Sequence, residues 1–263
     1  MINFDNIFDK LVSETHTIHS IVSPLIANDL ANVLLSLNQA PFLAEYIREV
    51  YEVTENSDAL LVNLGTLNES KILGIKEALI SAKKNNVPII LDPVGASATK
   101  IRLDSSLYYL KHYPINVIKG NYSEIYSIYS KKLTTKGVDS HYINKEDLLK
   151  ISQDLSTMYN TMVVATGKED IISYKDQSLV LKNGNQCLQK ITGTGCMLGA
   201  IIAACTSFEM SMEAIALAIS IMNIAAERAD KTKGMASFKI SLLDEISLIN
   251  KEKLKERIMY ERL

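Results

Sequence analysis

The sequence predicts an α/β fold in which helices cover both faces of a central, mostly parallel sheet. Short apolar runs rich in β-branched residues alternate along the chain with segments whose apolar residues recur at helical spacing. The runs show no apolar–polar alternation, which is typical of parallel strands buried on both faces. Neither a repeat nor a linker rich in Pro, Gly or Ser divides the 263 residues. We therefore expect a single domain over residues 1–263.

The individual elements follow from this pattern in chain order. A strand is expected at 17–22, and a helix at 24–37 because Ser23 can cap it and Pro24 fits its first turn. Runs of Val, Ile and Leu predict four more strands, and apolar residues at helical spacing predict three helices between them. The strands are 59–65, 87–92, 115–121 and 161–167, and the helices are 69–86, 103–113 and 145–160.

The last third of the chain has a different pattern. Residues 171–190 carry the turn signals of hairpin strands at 175–176 and 183–184, so we expect an antiparallel extension at one edge of the sheet. The charged, amphipathic tail at 250–263 is typical of a surface helix. Three helices are expected between the hairpins and the tail, at 196–206, 210–229 and 237–249.

Composition narrows the class of protein. The chain has 28 Lys plus Arg and 30 Asp plus Glu, a net charge of −2, without the clustered basic excess of a nucleic-acid-binding protein. The longest apolar stretch, 214–226, is too short to span a bilayer and contains Asn223. The acidic N-terminus is unlike a signal peptide, and three cysteines without metal-like pairing suit a reduced compartment. We expect a cytoplasmic protein that binds neither nucleic acid nor membranes.

A glycine loop near the C-terminus suggests an anion site. Gly193, Thr194 and Gly195 come directly before an apolar helix that begins near Cys196. Main-chain N–H groups at a helix N-terminus bind anions, and glycine lets the backbone approach closely. A plain helix start is the alternative, since a Gly-x-Gly pair alone is weak. The spacing matches neither the dinucleotide fingerprint nor a P-loop.

Polar residues at the predicted strand ends suggest metal and phosphate handling. Ligands of open α/β sheets bind at the carboxyl ends of the strands. Asp92 ends one strand, and Asn121 and Glu124 follow another, so two acids and an amide could organise Mg²⁺. A capping box, with Asn121 as the cap and Glu124 at the third helical position, is the alternative.

Three further residues could contact phosphate groups. Thr166 and Gly167 follow an apolar strand and could donate hydrogen bonds to a nucleotide phosphate. Lys119 could pair with phosphate charge, and a solvated surface lysine is the alternative. The four histidines lack a metal-binding spacing, and the Gly-x-Ser-x-Gly elbow of serine hydrolases is absent.

The order of these motifs resembles one family. "LVNLGTL" (61–67), "PIILDPVGASATKIR" (88–102), "IKGNYSEI" (118–125), "VVATGKEDII" (163–172) and "ITGTGCMLGAIIAAC" (191–205) are similar to segments of the hydroxyethylthiazole kinases, within the ribokinase-like superfamily. The resemblance covers nearly the whole chain. It implies a three-layer sandwich that transfers the ATP γ-phosphoryl group to the hydroxyl of 4-methyl-5-(2-hydroxyethyl)thiazole in thiamine salvage. It also implies Mg²⁺ and a homotrimer with sites near subunit interfaces.

The resemblance assigns roles to residues by position. Thr166 matches an ATP-contacting residue, and Lys119 stands where the family usually has an ATP-contacting Arg. For the thiazole, the positions are Gly193, Asn28 and Leu43, the last replacing a usual Met. Asp92 and Glu124 match the acids near Mg²⁺ and the phosphates.

The chain departs from the family pattern in two segments. The usual "TNNV" is replaced by residues 22–25, "VSPL", and the usual "GASP" by residues 38–41, "NQAP". A kinase of the same fold that acts on another vitamin precursor, pyridoxal or hydroxymethylpyrimidine, is therefore the second reading.

Cys196 stands where related kinases carry Asp. A helix N-terminus lowers the pKa of a thiol, so we expect a partly ionised Cys196 that accepts the proton of the alcohol. The alternative is that Cys196 only packs beside the alcohol while a phosphate oxygen takes the proton. A covalent cysteine nucleophile and a non-enzymatic nucleotide sensor are two further readings.

Overall fold

A nine-stranded sheet forms the centre of the computed structural model, which describes residues 2–134 and 144–263. Its spatial order is β2-β1-β3-β4-β5-β6-β7-β8-β9. Strands β1 to β6 are parallel, and β7, β8 and β9 pair antiparallel at one edge. The strands are β1 (Thr17–Ile21), β2 (Ala40–Phe42), β3 (Ala59–Asn63), β4 (Ile89–Asp92), β5 (Val117–Asn121), β6 (Met162–Thr166), β7 (Asp170–Tyr174), β8 (Gln177–Leu181) and β9 (Tyr260–Arg262).

Helices cover both faces of the sheet, which confirms the predicted three-layer α/β class. One apolar core lies under α1, α2 and α8 to α11, and the other lies under α3 to α7. The helices are α1 (Asp5–Ser13), α2 (Ala27–Ser36), α3 (Val50–Glu55), α4 (Glu69–Asn85), α5 (Lys100–His112), α6 (Tyr122–Ser130), α7 (Lys145–Tyr159), α8 (Thr194–Phe208), α9 (Met212–Arg228), α10 (Met235–Ser247) and α11 (Lys251–Arg257).

Helix α8 is apolar on nearly all sides because it is the central helix of its layer. It packs on β3 and β4 and on helices α1, α2 and α9. At Gly199 the helix lies directly on the sheet, since a Cβ built there would be in van der Waals contact with Leu61 Cδ1 at 3.4 Å and Asp92 Oδ2 at 3.6 Å. This packing brings the N-terminus of α8 to the carboxyl ends of the parallel strands.

The predicted helix start at Pro24 is wrong, because α2 begins at Ala27. Ser23 does not cap the helix. Its hydroxyl accepts a hydrogen bond from the Leu25 N–H at 3.3 Å and lies 2.8 Å from Thr66 Oγ1. The side chain therefore ties the turn after β1 to the loop after β3.

The hairpin prediction is correct at 175–176 and wrong at 183–184. Strands β7 and β8 flank the first turn, but the chain then leaves the sheet and forms a 3₁₀ helix at Gln186–Lys190. Side-chain and main-chain groups of Asn183 bond to other elements instead of a partner strand. The tail forms α11 as predicted and then adds β9 to the sheet edge. Short elements α1, β2 and α3 were not predicted.

In the part of the chain that the structure describes, every helix falls short of the length and apolar character needed to cross a membrane.

Candidate active site

The carboxyl ends of the parallel strands bring three polar side chains together. Asn63 and Asp92 end neighbouring strands and are in register. Asn63 Nδ2 donates to Asp92 Oδ2 at 2.9 Å and to Cys196 Sγ at 3.2 Å. Asn63 Oδ1 accepts from the Gly65 N–H, so the amide is fixed in orientation. Asn63 was not predicted as a site residue, and it joins the acid of β4 to the thiol of α8.

Asp92 and Lys119 form a buried ion pair. Lys119 Nζ lies 3.3 Å from Asp92 Oδ2 and donates to the Gly195 carbonyl at 2.8 Å. Lys119 is only 4% exposed, which excludes the alternative of a solvated surface lysine. Burial raises the pKa of Asp92, while Lys119 and Asn63 oppose that rise. Burial alone would lower the pKa of Lys119, but the charge and hydrogen bond of Asp92, together with Cys196 and Glu124, outweigh burial and raise the pKa.

One oxygen of Asp92 has a special environment. Asp92 Oδ1 is buried and has no hydrogen-bond partner among the described residues. A buried carboxylate oxygen without a partner is costly unless a cation or donor meets it. This atom therefore fits the requirement of a cation ligand.

Glu124 forms the capping box that the sequence offered as an alternative. Asn121 Oδ1 accepts from the Glu124 N–H at 2.9 Å, and Glu124 Oε2 accepts from the Asn121 N–H at 2.8 Å. Glu124 Oε1 accepts from the Gly95 N–H at 2.8 Å. Burial and then the charge of Asp92 raise the pKa of Glu124, while the two main-chain donors oppose that rise. Across residues 2–134 and 144–263, no cluster of three metal-ligating side chains occurs.

The glycine loop turns sharply into α8. Gly193 caps the helix in the left-handed region with φ +92°, and a Cβ there would lie 2.8 Å from Ile26 Cγ2. The Thr194 hydroxyl donates to the Leu188 carbonyl at 2.8 Å, which anchors the loop to the 3₁₀ helix. The first N–H groups of a helix lack acceptors within it. Those of 194–196 therefore provide donors for an anion.

The Cys196 thiol does not have the lowered pKa that its position at a helix N-terminus suggested. Burial raises the pKa of Cys196 to about 11, and the charge of Asp92 adds to that rise. The ammonium of Lys119 and the amide of Asn63 oppose it. Desolvation of the thiolate is the largest effect on this pKa, and the thiol is protonated at neutral pH.

Alkylation measures this directly. At pH 8 we expect iodoacetamide to modify Cys196 about 100-fold or more slowly than it modifies a free cysteine, because the thiolate is the nucleophile. The rate should keep rising toward pH 11. Peptide mass spectrometry follows the site, and the same reaction in urea is the control. Equal rates in native and unfolded protein would contradict the raised pKa.

A cleft of about 600 Å³ opens beside the glycine loop. Five of the predicted residues line it, namely Asn121, Thr166, Gly167, Thr194 and Gly195. The remaining wall was not predicted. It consists mainly of the loop after β8, the 3₁₀ helix and side chains of α9, and its polar members include Lys168, Asp170, Lys182, Asn183, Asn185, Gln186, Gln189 and Asn223.

Gly167 allows the turn after β6 to lie against an aromatic ring. A Cβ built on Gly167 would lie 2.4 Å from the Tyr122 ring. The Tyr122 hydroxyl donates to the Glu169 carbonyl, and Thr166 Oγ1 donates to the Gly120 carbonyl at 3.3 Å. These contacts hold the predicted Thr-Gly pair at the mouth of the cleft.

The two remaining predicted substrate residues do not join the hydrogen-bond network of this cluster in the described part of the chain. Asn28 is exposed on α2, and its side-chain oxygen accepts from Asn32 Nδ2 at 3.0 Å. Leu43 follows the edge strand β2 and is 39% exposed. Among the described residues, no hydrogen bond or ion pair joins either of them to Asp92, Glu124 or the glycine loop.

The unusual Asn38-Gln39 pair is explained by structure. Asn38 adopts a left-handed conformation after α2, with φ 62°. Gln39 is 1% exposed, and its Nε2 donates to the carbonyls of Leu11 and Leu37 while its Oε1 accepts from the His16 N–H. The amide joins α1, β1 and α2 and needs no substrate to account for it.

Comparisons with known proteins agree with the fold and the motifs. The sequence profile of the hydroxyethylthiazole kinase family matches residues 8–252. A protein of Finegoldia magna named hydroxyethylthiazole kinase is 45% identical over 252 residues, which are 96% of this chain and 94% of that protein. A solved hydroxyethylthiazole kinase structure from Pyrococcus horikoshii superimposes with a TM-score of 0.90 at 29% identity and 98% coverage of both chains.

A more distant structure shows the fold alone. A Staphylococcus aureus pyridoxal kinase in complex with pyridoxal superimposes with a TM-score of 0.66 at 15% identity, covering 95% of this chain and 99% of that one. The sequence profile and the 45% identity decide the assignment between the two kinds of kinase. The chain belongs to the hydroxyethylthiazole kinase family.

Proposed function

We propose that this protein phosphorylates the hydroxyl of 4-methyl-5-(2-hydroxyethyl)thiazole with ATP, as part of thiamine salvage. Membership of the hydroxyethylthiazole kinase family supports the activity. The observation that carries it is the position of the glycine loop, whose donor N–H groups lie between a large cleft with several polar side chains and a buried carboxylate. The nucleotide would occupy the cleft, and the alcohol would lie on the far side of the loop beside Gly193 and Cys196.

The mechanism rests on positioning and charge. Phosphoryl transfer needs little covalent participation by the protein, because charge spread over the phosphoryl oxygens must be stabilised. The main-chain N–H groups of 194–196 would donate to those oxygens. Lys119 holds the Gly195 carbonyl, which orients this turn, and adds positive charge beneath it. The role of Lys119 is therefore to hold the loop and supply charge, in place of a bidentate arginine contact.

Asp92 and Glu124 would hold Mg²⁺. The buried, unpartnered Oδ1 of Asp92 fits a cation ligand, and Mg²⁺ commonly takes one or two carboxylates together with substrate phosphates. When bound, the ion neutralises charge on the nucleotide phosphates. Glu124 uses each oxygen for one main-chain N–H group, which fixes the carboxylate and leaves further lone pairs for a hydrated ion.

A substitution at Cys196 tests which group accepts the proton of the alcohol. A thiol with a pKa of about 11 is a poor match for proton acceptance near pH 7. An aspartate there would be a better base, because burial beside two other acids would raise its pKa toward neutrality. We expect Cys196→Asp to keep or increase kcat, and Cys196→Ser to give no increase. A folded but inactive Cys196→Asp variant would contradict proton acceptance at this position.

We also propose a homotrimeric, cytoplasmic enzyme whose subunits meet along the β2 edge of the sheet. Four large apolar side chains follow one another there with exposed fractions between 37% and 52%, namely Phe42, Leu43, Tyr46 and Ile47. An exposed apolar segment of this kind is typical of an interface. Covering it with a neighbouring subunit would place Leu43 in a shared site. Sedimentation equilibrium tests the assembly.

A coupled ADP-release assay with a panel of alcohols tests the activity. With ATP and Mg²⁺, ADP release should require an alcohol and be fastest with the thiazole alcohol. Faster turnover of pyridoxal or hydroxymethylpyrimidine would favour another vitamin-precursor kinase. ADP binding without turnover on any alcohol would indicate a sensor, and a trapped thioester or phosphocysteine would indicate a covalent cysteine nucleophile.

A further inference from the structure

We propose that Asp170 and Asn223 are positioning residues that fasten the two walls of the cleft to each other and so set the affinity for the nucleotide. The inference rests on the proposed function in taking the cleft as the nucleotide site. One wall is the turn after β6, at Thr166 and Gly167. The other is the loop after β8, residues 183–185.

The first contact joins Asp170 to the turn after β6. Asp170 begins β7 and is 6% exposed. Its Oδ1 accepts from the Gly167 N–H at 3.1 Å. The carboxylate thereby fixes the main chain of Thr166 and Gly167 in position. The residue lies three positions after Gly167, so the contact closes a tight loop at the mouth of the cleft.

The second contact spans the cleft floor. Asn223 lies on α9, is 5% exposed, and donates from Nδ2 to Asp170 Oδ2 at 2.7 Å. The same Nδ2 donates to the Asn183 carbonyl at 2.9 Å. Both hydrogens of one amide are therefore used, one toward each wall. Asp170 and Asn223 both line the cleft as well.

The third set of contacts holds the far wall on α9. Glu227 Oε1 accepts from Asn183 Nδ2 at 3.0 Å and from the Gly184 N–H at 2.9 Å. Asn185 Nδ2 donates to the Ala226 carbonyl at 2.9 Å. Among the described residues this loop has no strand partner, so side chains hold it, and Asn183 also donates to the Arg257 carbonyl and accepts from the Met259 N–H. Replacement of Asn223 would break the hydrogen bonds that connect this loop to the opposite wall of the cleft.

The residue types in the hydrogen-bond network of Asp170 and Asn223 indicate a role beyond packing of the core. Asn223 interrupts an apolar run on α9, where an apolar side chain would pack without any need for polar partners. No Lys or Arg within residues 2–134 and 144–263 forms an ion pair with Asp170. Burial raises the pKa of Asp170 to about 6, and the hydrogen bonds from Asn223 and Gly167 oppose that rise. A buried carboxylate without an ion pair depends on its hydrogen-bond donors for stabilisation. The two donors here are the Gly167 N–H and the Asn223 amide, and both residues line the cleft.

The test separates nucleotide affinity from turnover. We expect Asn223→Ser and Asp170→Asn to raise the KM for ATP and the Kd for ADP by on the order of tenfold, because a buried hydrogen bond between the walls is lost. At saturating ATP, kcat should stay within about threefold, and the KM for the thiazole alcohol should be unchanged. Calorimetry with ADP gives the Kd.

Ser220→Ala is the matched control. Ser220 is buried one turn earlier on α9, and in the described part of the chain its hydroxyl donates only to the Ala216 carbonyl of its own helix, at 2.7 Å. It should leave the Kd for ADP unchanged. Folded Asn223 and Asp170 variants with wild-type affinity would overturn the proposal, as would failure of both to fold. A wild-type protein that binds no ADP would instead refute the proposed function.

Discussion

Replacement of Asp92 by Asn is expected to reduce kcat by on the order of 10²- to 10³-fold, the size typical of a lost electrostatic contact to the transition state. The change removes the negative charge whose Oδ1 has no partner among the described residues. It also deprives Lys119 of its only carboxylate within 4.0 Å in the described chain. The Mg²⁺ concentration for half-maximal rate should rise along with the loss of kcat, and a Mg²⁺ titration of the ADP-release rate measures both.

A second substitution separates the two effects of Asp92→Asn. The double variant Asp92→Asn/Lys119→Met is compared with Lys119→Met alone, because both lack the ammonium that holds the Gly195 carbonyl. If the loss came only from an unpaired buried ammonium, these two variants would be equally active. We expect the double variant to be more stable than Asp92→Asn but less active than Lys119→Met, because only the double variant lacks the cation ligand. Glu245→Gln breaks the ion pair with Arg228 between α9 and α10 and serves as the control. Full activity in Asp92→Asn would contradict a role in metal binding.

Local patterns predicted the sheet and part of the cleft because these features depend on residues near each other in sequence. The apolar strands, the acid that ends β4 and the glycine pair before α8 are each visible within about ten residues. The rule that parallel strands end at one edge then places Asp92, Asn121 and Thr166 together. The structure agrees with that placement, since Asn121 and Thr166 are in register and line one cleft.

Residues whose partners are distant in sequence were not predictable in the same way. Asn63 contacts Cys196, which lies 133 positions later, and Asn223 contacts Asp170, 53 positions earlier. The sequence did carry one signal for Asn223, a single amide in an apolar run, which indicated only that the run is no membrane span. The sequence also carried a signal for Lys119, because this lysine lies inside a strand of buried residues.

The Cys196 thiol shows why a local rule can give the wrong sign. Position at a helix N-terminus lowers the pKa of a thiol, and the sequence shows that position. It does not show that the thiol is partly buried beside Asn63 and near Asp92. Desolvation is the larger effect here and raises the pKa to about 11. A prediction of the pKa of a group in such a site therefore requires knowledge of how far the group is buried. That burial depends on how the helices and the sheet pack together.

Replacement of Gly193 by Ala is expected to lower kcat/KM for ATP by on the order of 100-fold, the loss typical of a misplacement of about 1 Å at a reacting group. Gly193 has φ +92°, which costs a residue with a Cβ about 1–2 kcal/mol. The new Cβ would also lie 2.8 Å from Ile26 Cγ2, so the turn must shift and carry the N–H groups of 194–196 with it. Steady-state kinetics measure the loss.

The controls for Gly193→Ala distinguish displacement of the loop from backbone strain. Gly234 precedes α10 as Gly193 precedes α8, and it also has positive φ, +144°, but no atom of the described residues lies within 4 Å of its added Cβ. Gly234→Ala should therefore lose stability without losing activity. Adding Ile26→Ala to Gly193→Ala removes the crowding methyl group and should restore part of the rate. Wild-type kinetics in Gly193→Ala would show that the glycine turn tolerates displacement, and the N–H groups of 194–196 would then have no part in holding the transferred phosphoryl group.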